Sequence, residues 1–306
     1  MAQLSHVSPI YVYRAIHRKG YNSNNDPDRF FIIGHQKNDI ETAEEAIKDG
    51  ANALEIDINF DKITGKPTIF KHGWPCDVDI ISQVMGECSR SSPYKTLLGY
   101  LSQQTNLALI VLEGKVNSLS IQVQKIAGKN AVKAIEEELF DKGFKGTVVI
   151  GCLGEPDFIT SAAEQASVSK YKSQIYFTLL RDYSGAVSVI SYLHTLAVPN
   201  IVYSIGTITF DPRTYHDDIK LAALNKIHGA VSGVCTWTIN REASFEAYYL
   251  SGVRGITTNN VKNLSSWASR RDLTLAQAGD DTLRPAWNLE VITSNKAASK
   301  ALHSEL

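Results

Sequence analysis

Eight short apolar, β-branched runs recur along the chain, at residues 30–34, 53–59, 107–112, 147–151, 174–179, 201–205, 233–237 and 255–257. Amphipathic stretches with helical periodicity alternate with them, at 41–48, 93–104, 120–142, 156–166, 184–196, 212–228, 243–250 and 261–271. Short apolar strands alternating with such helices predict a parallel sheet whose crossovers cover it. Eight units of this kind in 306 residues fit an α/β chain folded as one (β/α)8 TIM barrel. An open, doubly wound sheet is the runner-up.

Punctuation agrees with these bounds. Gly50 and Gly143 fall where helices should stop. Pro156 and Pro212 suit first-turn positions. No repeat, low-complexity tract or clear linker divides the chain. The expected organisation is an N-terminal extension over 1–29 and a barrel over 30–272. A tail over 273–306 loses periodicity and either wraps the barrel or frays. With 43% hydrophobic residues the chain can bury a sizeable core. A formal net charge of −1 argues against nucleic-acid binding through bulk charge.

No run is long and apolar enough to cross a bilayer. Residues 1–25 are polar, carry Arg14, His17, Arg18 and Lys19, and lack the apolar centre of a secretory signal. Retention in the cell and removal of an earlier leader both stay open. Four cysteines make the chain neither disulfide-dense nor zinc-ribbon-like. A monomer is expected.

The chemistry gathers at the ends of the first strands. The first ends in Gly34-His35, and the second carries Glu55-Ile56-Asp57. Residues two apart share a strand face, so Glu55 and Asp57 should point into the barrel or its mouth, with Leu54, Ile56 and Ile58 under the helices. Two carboxylates on one face repel, and burying them calls for a cation; hard oxygen ligands suit Mg²⁺ or Ca²⁺. His72 follows on a loop. The third strand ends in Leu112-Glu113-Gly114-Lys115, adding a carboxylate and an ammonium. Each residue alone reads more simply as a solvated face, a structural histidine or a surface charge. Together, at the rim where barrels of this kind carry their active sites, they favour catalysis. Cys152 and Cys235 lie in strand-like runs and read as small core residues.

In these segments the chain resembles the glycerophosphodiester phosphodiesterase superfamily, and more closely the sphingomyelinase D / phospholipase D toxin family. The resemblance is carried by Gly34-His35, by Gly50-Ala51-Asn52-Ala53-Leu54-Glu55-Ile56-Asp57 and by His72-Gly73-Trp74-Pro75-Cys76-Asp77. Leu112-Glu113-Gly114-Lys115-Val116-Asn117-Ser118, Trp237-Thr238 and the run from Gly252 to Asn259 extend it. The chain departs from the toxin pattern at Glu113, where Asp is usual, at Cys235, often Tyr, and at Asn240, often Asp. The toxin family's C-terminal tail motif survives only as Ala278-Gly279-Asp280-Asp281 and Pro285-Ala286-Trp287.

The resemblance implies roles for these positions. His35 and His72 would be the catalytic pair, and Glu55, Asp57 and Glu113 would hold one Mg²⁺. Asp77 would orient His72, Lys115 would contact the phosphate, Trp237 would face the headgroup and Asn259 would help position substrate. It implies a disulfide at Cys76, with Cys88 as partner in an oxidising compartment; two free thiols are the alternative. The implied activity is release of the headgroup alcohol from a sphingo- or lysophospholipid at a membrane surface or micelle, by intramolecular transfer to a cyclic phosphate. A nucleophilic His35 is a second mechanism, and hydrolysis to a phosphomonoester a second outcome. A glycerophosphodiesterase acting on soluble deacylated headgroups is the alternative function. A non-catalytic lipid-binding barrel ranks below both, because every expected catalytic position holds a chemically competent residue.

Overall fold

The computed structural model describes residues 29–72, 90–180, 185–206 and 215–280, with Leu283. Ten strands are described: β1 (Phe31–Gly34), β2 (Ala53–Phe60), β3 (Pro67–Phe70), β4 (Ser92–Pro93), β5 (Leu109–Lys115), β6 (Thr147–Cys152), β7 (Ile175–Phe177), β8 (Val202–Gly206), β9 (Gly233–Trp237) and β10 (Gly255–Thr258). The eight α-helices described are α1 (Ile40–Lys48), α2 (Tyr94–Leu101), α3 (Ile121–Ile135), α4 (Pro156–Ser167), α5 (Ala186–Leu193), α6 (His216–Ile227), α7 (Glu242–Leu250) and α8 (Val261–Arg270).

Eight of the strands run parallel in the order β7-β6-β5-β2-β1-β10-β9-β8. The first barrel strand thus pairs with the last, Phe31 opposite Gly255 and Gly34 opposite Thr258. A parallel bridge between Phe177 and Ile201 joins the two ends of this order. The result is a nearly closed (β/α)8 barrel, not the open sheet, and closure leaves few unpaired strand edges.

Strand alternation sorts side chains into two layers. Leu54, Ile56 and Ile58 are fully buried with Ala43, Ala46, Leu97 and Leu98 in the shell between strands and helices. Phe31, Ile33, Ala53, Leu109, Val149, Tyr176 and Val202 fill the barrel interior. Burial on both faces is why the strand segments read as nearly continuous apolar runs. Glu55 and Asp57 share the parity of Ala53 and therefore face inward, as expected.

Two local features differ from the sequence reading. Pro67–Phe70, outside the expected strands, form β3, which pairs antiparallel with β2, Ile58 opposite Phe70. A four-residue strand has too little periodicity to announce itself, and its partner lies across a turn. The stretch expected as one helix over 120–142 is α3 followed by a π-helical turn, Glu136–Phe140, before Gly143. The stop at Gly50 is enforced twice. Its φ is +103°, and a Cβ there would lie 2.3 Å from Ser265 Oγ.

Asn52, part of the resemblance motif, is a structural clamp at the start of β2. Buried at 6% exposure, its side chain accepts from Ile32 N at 2.7 Å. It donates to the carbonyls of Phe30 at 3.0 Å and Ala276 at 2.8 Å. It thereby ties the segment after α8 to the barrel, where Ala276 and Leu283 complete the interior cluster. Asn52→Leu should cost about 3 kcal/mol or more, because it strands buried backbone groups. Urea denaturation measures this, and a loss under about 0.5 kcal/mol would remove the clamp from the account.

Candidate active site

The ionisable residues meet at the C-terminal ends of β1, β2 and β5. His35 follows β1 directly, its backbone N–H bonded to Thr258 O at 3.0 Å. Its Nδ1 lies 2.7 Å from Asn259 Oδ1, and its Nε2 lies 3.4 Å from Thr238 Oγ1 and 3.9 Å from Glu55 Oε2. Asn259 is held in turn, its N–H donating to Asn240 Oδ1 at 2.9 Å. His72 is delivered by β3: Lys71 N donates to Asp57 O at 3.0 Å. The His72 Nδ1 then stands 3.0 Å from Gln36 Nε2 and 3.3 Å from Asp57 Oδ2.

Glu55 beside His35, Asp57 beside His72, and Glu113 each offer an oxygen within 4.8 Å of the others. Parallel pairing of β2 and β5, with Asp57 opposite Glu113, makes this meeting. Lys115 reaches back over the cluster, 2.7 Å from Asp57 Oδ1 and 2.5 Å from Glu113 Oε1. Asn38 brackets Asp57, its amide donating to Oδ2 and its Oδ1 accepting from the Asp57 N–H, both at 2.7 Å.

Burial pushes the Glu55 carboxyl well above the usual carboxylate range, and the charges of Asp57 and Glu113 add to the effect. Burial acts the same way on Asp57. There the Lys115 ammonium, His72 and the Asn38 amide outweigh it and hold the group well below that range. Burial alone would lower Lys115, but Asp57, Glu113 and Glu55 keep its ammonium firmly charged. Burial lowers His35 against the opposing bond to Asn259.

Three converging carboxylates with one ammonium leave negative charge uncompensated. Among the described residues, Glu55 Oε1 is buried without a hydrogen-bond partner, and such an atom is costly unless something binds it. Hard oxygen donors of this kind fit a divalent cation. Glu55, Asp57 and Glu113 could therefore hold a metal ion.

His35, His72, Glu55, Asp57, Glu113, Lys115 and Asn259 thus lie together, joined by hydrogen bonds, ion pairs and one 3.9 Å approach between His35 and Glu55. Trp237 ends β9 on the same rim, next to Thr238, its buried Nε1 without a partner among the described residues. Asp77, Cys76 and Cys88 lie outside the described residues, and so does any bridge between them. Cys152 and Cys235 are buried free thiols. Sequence reasoning missed Gln36 and Asn38, which alternate with Lys37 and Asp39 in a polar run that looks like an ordinary surface turn. Only the spacing after His35 could have drawn attention to them.

A parallel barrel with histidines and carboxylates at this rim has the fold of the glycerophosphodiester phosphodiesterases. A putative glycerophosphoryl diester phosphodiesterase from Silicibacter pomeroyi superposes with a TM-score of 0.60 at 12% identity, over 81% of this chain and 96% of that one. A phosphodiesterase from Oleispira antarctica, solved with sn-glycerol-3-phosphate, superposes with a TM-score of 0.51 at 14% identity, over 78% and 96%. The family model described as dermonecrotic toxin SPH matches residues 26–194, more than half of the chain, and the chain belongs to this sphingomyelinase D family. Among similar curated proteins is dermonecrotic toxin SpeSicTox-betaIB3 of Sicarius peruensis, 27% identical over 256 residues, 76% of this chain and 92% of the toxin. Dermonecrotic toxin LvSicTox-alphaII1 of Loxosceles variegata is 26% identical over 244 residues, 75% and 88% of the two chains.

Proposed function

We propose that the protein is a Mg²⁺-dependent phosphodiesterase of the phospholipase D / sphingomyelinase D type. It releases the headgroup alcohol from a sphingo- or lysophospholipid and leaves a cyclic phosphate on the lipid. The observation that carries this reading is the pair of imidazoles flanking one carboxylate cluster, each held at Nδ1 by its own amide side chain. With Asn259 Oδ1 accepting from Nδ1–H, His35 keeps a lone pair on Nε2 and can take the proton of the attacking lipid hydroxyl. His72, next to Asp57, can carry the proton that the departing headgroup oxygen needs. Lys115 offers its ammonium to the charge that builds on the phosphoryl oxygens.

Glu55, Asp57 and Glu113 would hold Mg²⁺, which supplies Lewis-acid polarisation of a phosphoryl oxygen when bound. Glu55, raised by burial and its neighbours, must lose its proton to act as a ligand. Metal affinity should therefore rise with pH until Glu55 is fully ionised, with net proton release on binding. Calorimetry in buffers of different ionisation heat measures this, and a pH-independent affinity would exclude Glu55 as a ligand.

The barrel likeness to glycerophosphodiester phosphodiesterases, together with Glu113 where the toxins usually carry Asp, supports a second reading: hydrolysis of soluble deacylated headgroups. Mass spectrometry of products from sphingomyelin, lysophospholipids and glycerophosphocholine, with and without EDTA, separates the two. Cyclic lipid phosphate, lost in EDTA and restored by Mg²⁺, is expected. Turnover of glycerophosphocholine alone would replace the first reading by the second.

A further inference from the structure

Gln36 is the least expected member of the rim. Its φ is +54°, a left-handed backbone that suits glycine better than glutamine. Three bonds hold the turn in this shape. Gln36 N donates to Glu55 Oε2 at 2.6 Å, Lys37 N to Glu55 O at 2.9 Å, and His35 N to Thr258 O at 3.0 Å. The turn needs no side chain to make them, so glycine would serve the backbone better. What the side chain adds, among the described residues, is a hydrogen bond: Gln36 Nε2 at 3.0 Å from His72 Nδ1.

We propose that Gln36 is a positioning residue for His72, occupying Nδ1 so that Nε2 is the nitrogen presented to substrate. The inference rests on the reading of His72 as the proton donor. Asp57 Oδ2 also reaches Nδ1, at 3.3 Å, but that oxygen already accepts from Asn38 at 2.7 Å, and the other Asp57 oxygen pairs with Lys115. Gln36 is thus the nearer partner and the less committed one. It is also neutral and bifunctional. Its NH₂ can donate to Nδ1 where that nitrogen is bare. A half-turn of the amide offers Oε1 to Nδ1–H instead. Gln36 can therefore keep the ring oriented whether or not Nδ1 carries a proton, without adding charge beside three carboxylates. Partners of this kind around a working histidine fix its orientation and its active nitrogen.

The test compares wild type with Gln36→Met, Gln36→Gly and Gln36→Glu. Gln36→Gly suits the left-handed backbone and keeps a folded comparison if methionine does not fit. Methionine and glycine should lower kcat for alkyl headgroups such as choline or ethanolamine roughly tenfold to hundredfold, with KM little changed. The defect should shrink on a p-nitrophenyl phosphodiester, whose leaving group needs no proton. Gln36→Glu, which can accept from Nδ1–H but cannot donate and adds a charge beside three carboxylates, should recover only part of the rate. An equal loss on both leaving groups, or a rise in KM alone, would overturn the proposal. Imidazole ¹⁵N shifts give an answer that needs no turnover. The His72 Nδ1 resonance should move in Gln36→Met while that of His35 stays put, and an unmoved His72 would equally overturn it. Should wild type cleave no phosphodiester, the function fails, and the ¹⁵N shifts still decide whether Gln36 holds His72.

Discussion

Replacing His72 by alanine is expected to cut release of an alkyl headgroup by about 10²–10⁴-fold while the protein stays folded. The imidazole sits on the rim with its side chain 19% exposed, not in either packed layer. The loss should depend on the leaving group. With p-nitrophenolate, which departs without a proton, His72→Ala should recover much of its rate. His35→Ala should lose about as much on both substrates, because deprotonation of the attacking hydroxyl is needed either way. Initial rates on matched alkyl and aryl esters, with melting curves for each variant, decide this. Near wild-type rates in either variant would end the assignment of the pair, and an identical pattern in both would reverse or merge their roles.

The second large effect is expected at Asp57. This carboxylate is fully buried and meets Lys115 at 2.7 Å, His72 at 3.3 Å and Asn38 at 2.7 Å. Asp57→Asn keeps the shape and removes the charge. Lys115, its side chain 17% exposed, would be left with Glu113 as its near counter-ion, and breaking one side of a partly buried pair should cost less than the roughly 3–5 kcal/mol of a fully buried one. The cation site would also lose a ligand. Turnover should become undetectable, metal binding should weaken at least tenfold, and the metal-free melting temperature should fall. Calorimetric titration with Mg²⁺ or Mn²⁺, alongside thermal melts in EDTA, reads both effects. Unchanged metal affinity in Asp57→Asn would remove the carboxylate cluster from the cofactor's site, whatever happened to activity.

The two substitutions differ in where their partners come from. Asp57 and Glu55 face inward because alternation along one strand makes them do so, and that rule is local. His35 meets Asn259 across 224 residues only because β1 pairs with β10. His72 meets Asp57 only because β3, too short to show in the sequence, folds back along β2.

Periodicity alone therefore determined that strands and helices alternate eight times, that residues 233–237 form a strand and that Leu54, Ile56 and Ile58 lie under helices while Glu55 and Asp57 do not. A side chain's parity and a helix's amphipathic stripe depend on neighbours in the chain. Only the tertiary structure decided the rest. It closed the barrel rather than leaving an open sheet, laid Lys115 across Asp57 and Glu113, turned Asn52 into a clamp and brought Gln36 to His72. Those contacts depend on strand register and on turns held by distant carboxylates and carbonyls, and nothing within one segment of the chain encodes where its partner will stand.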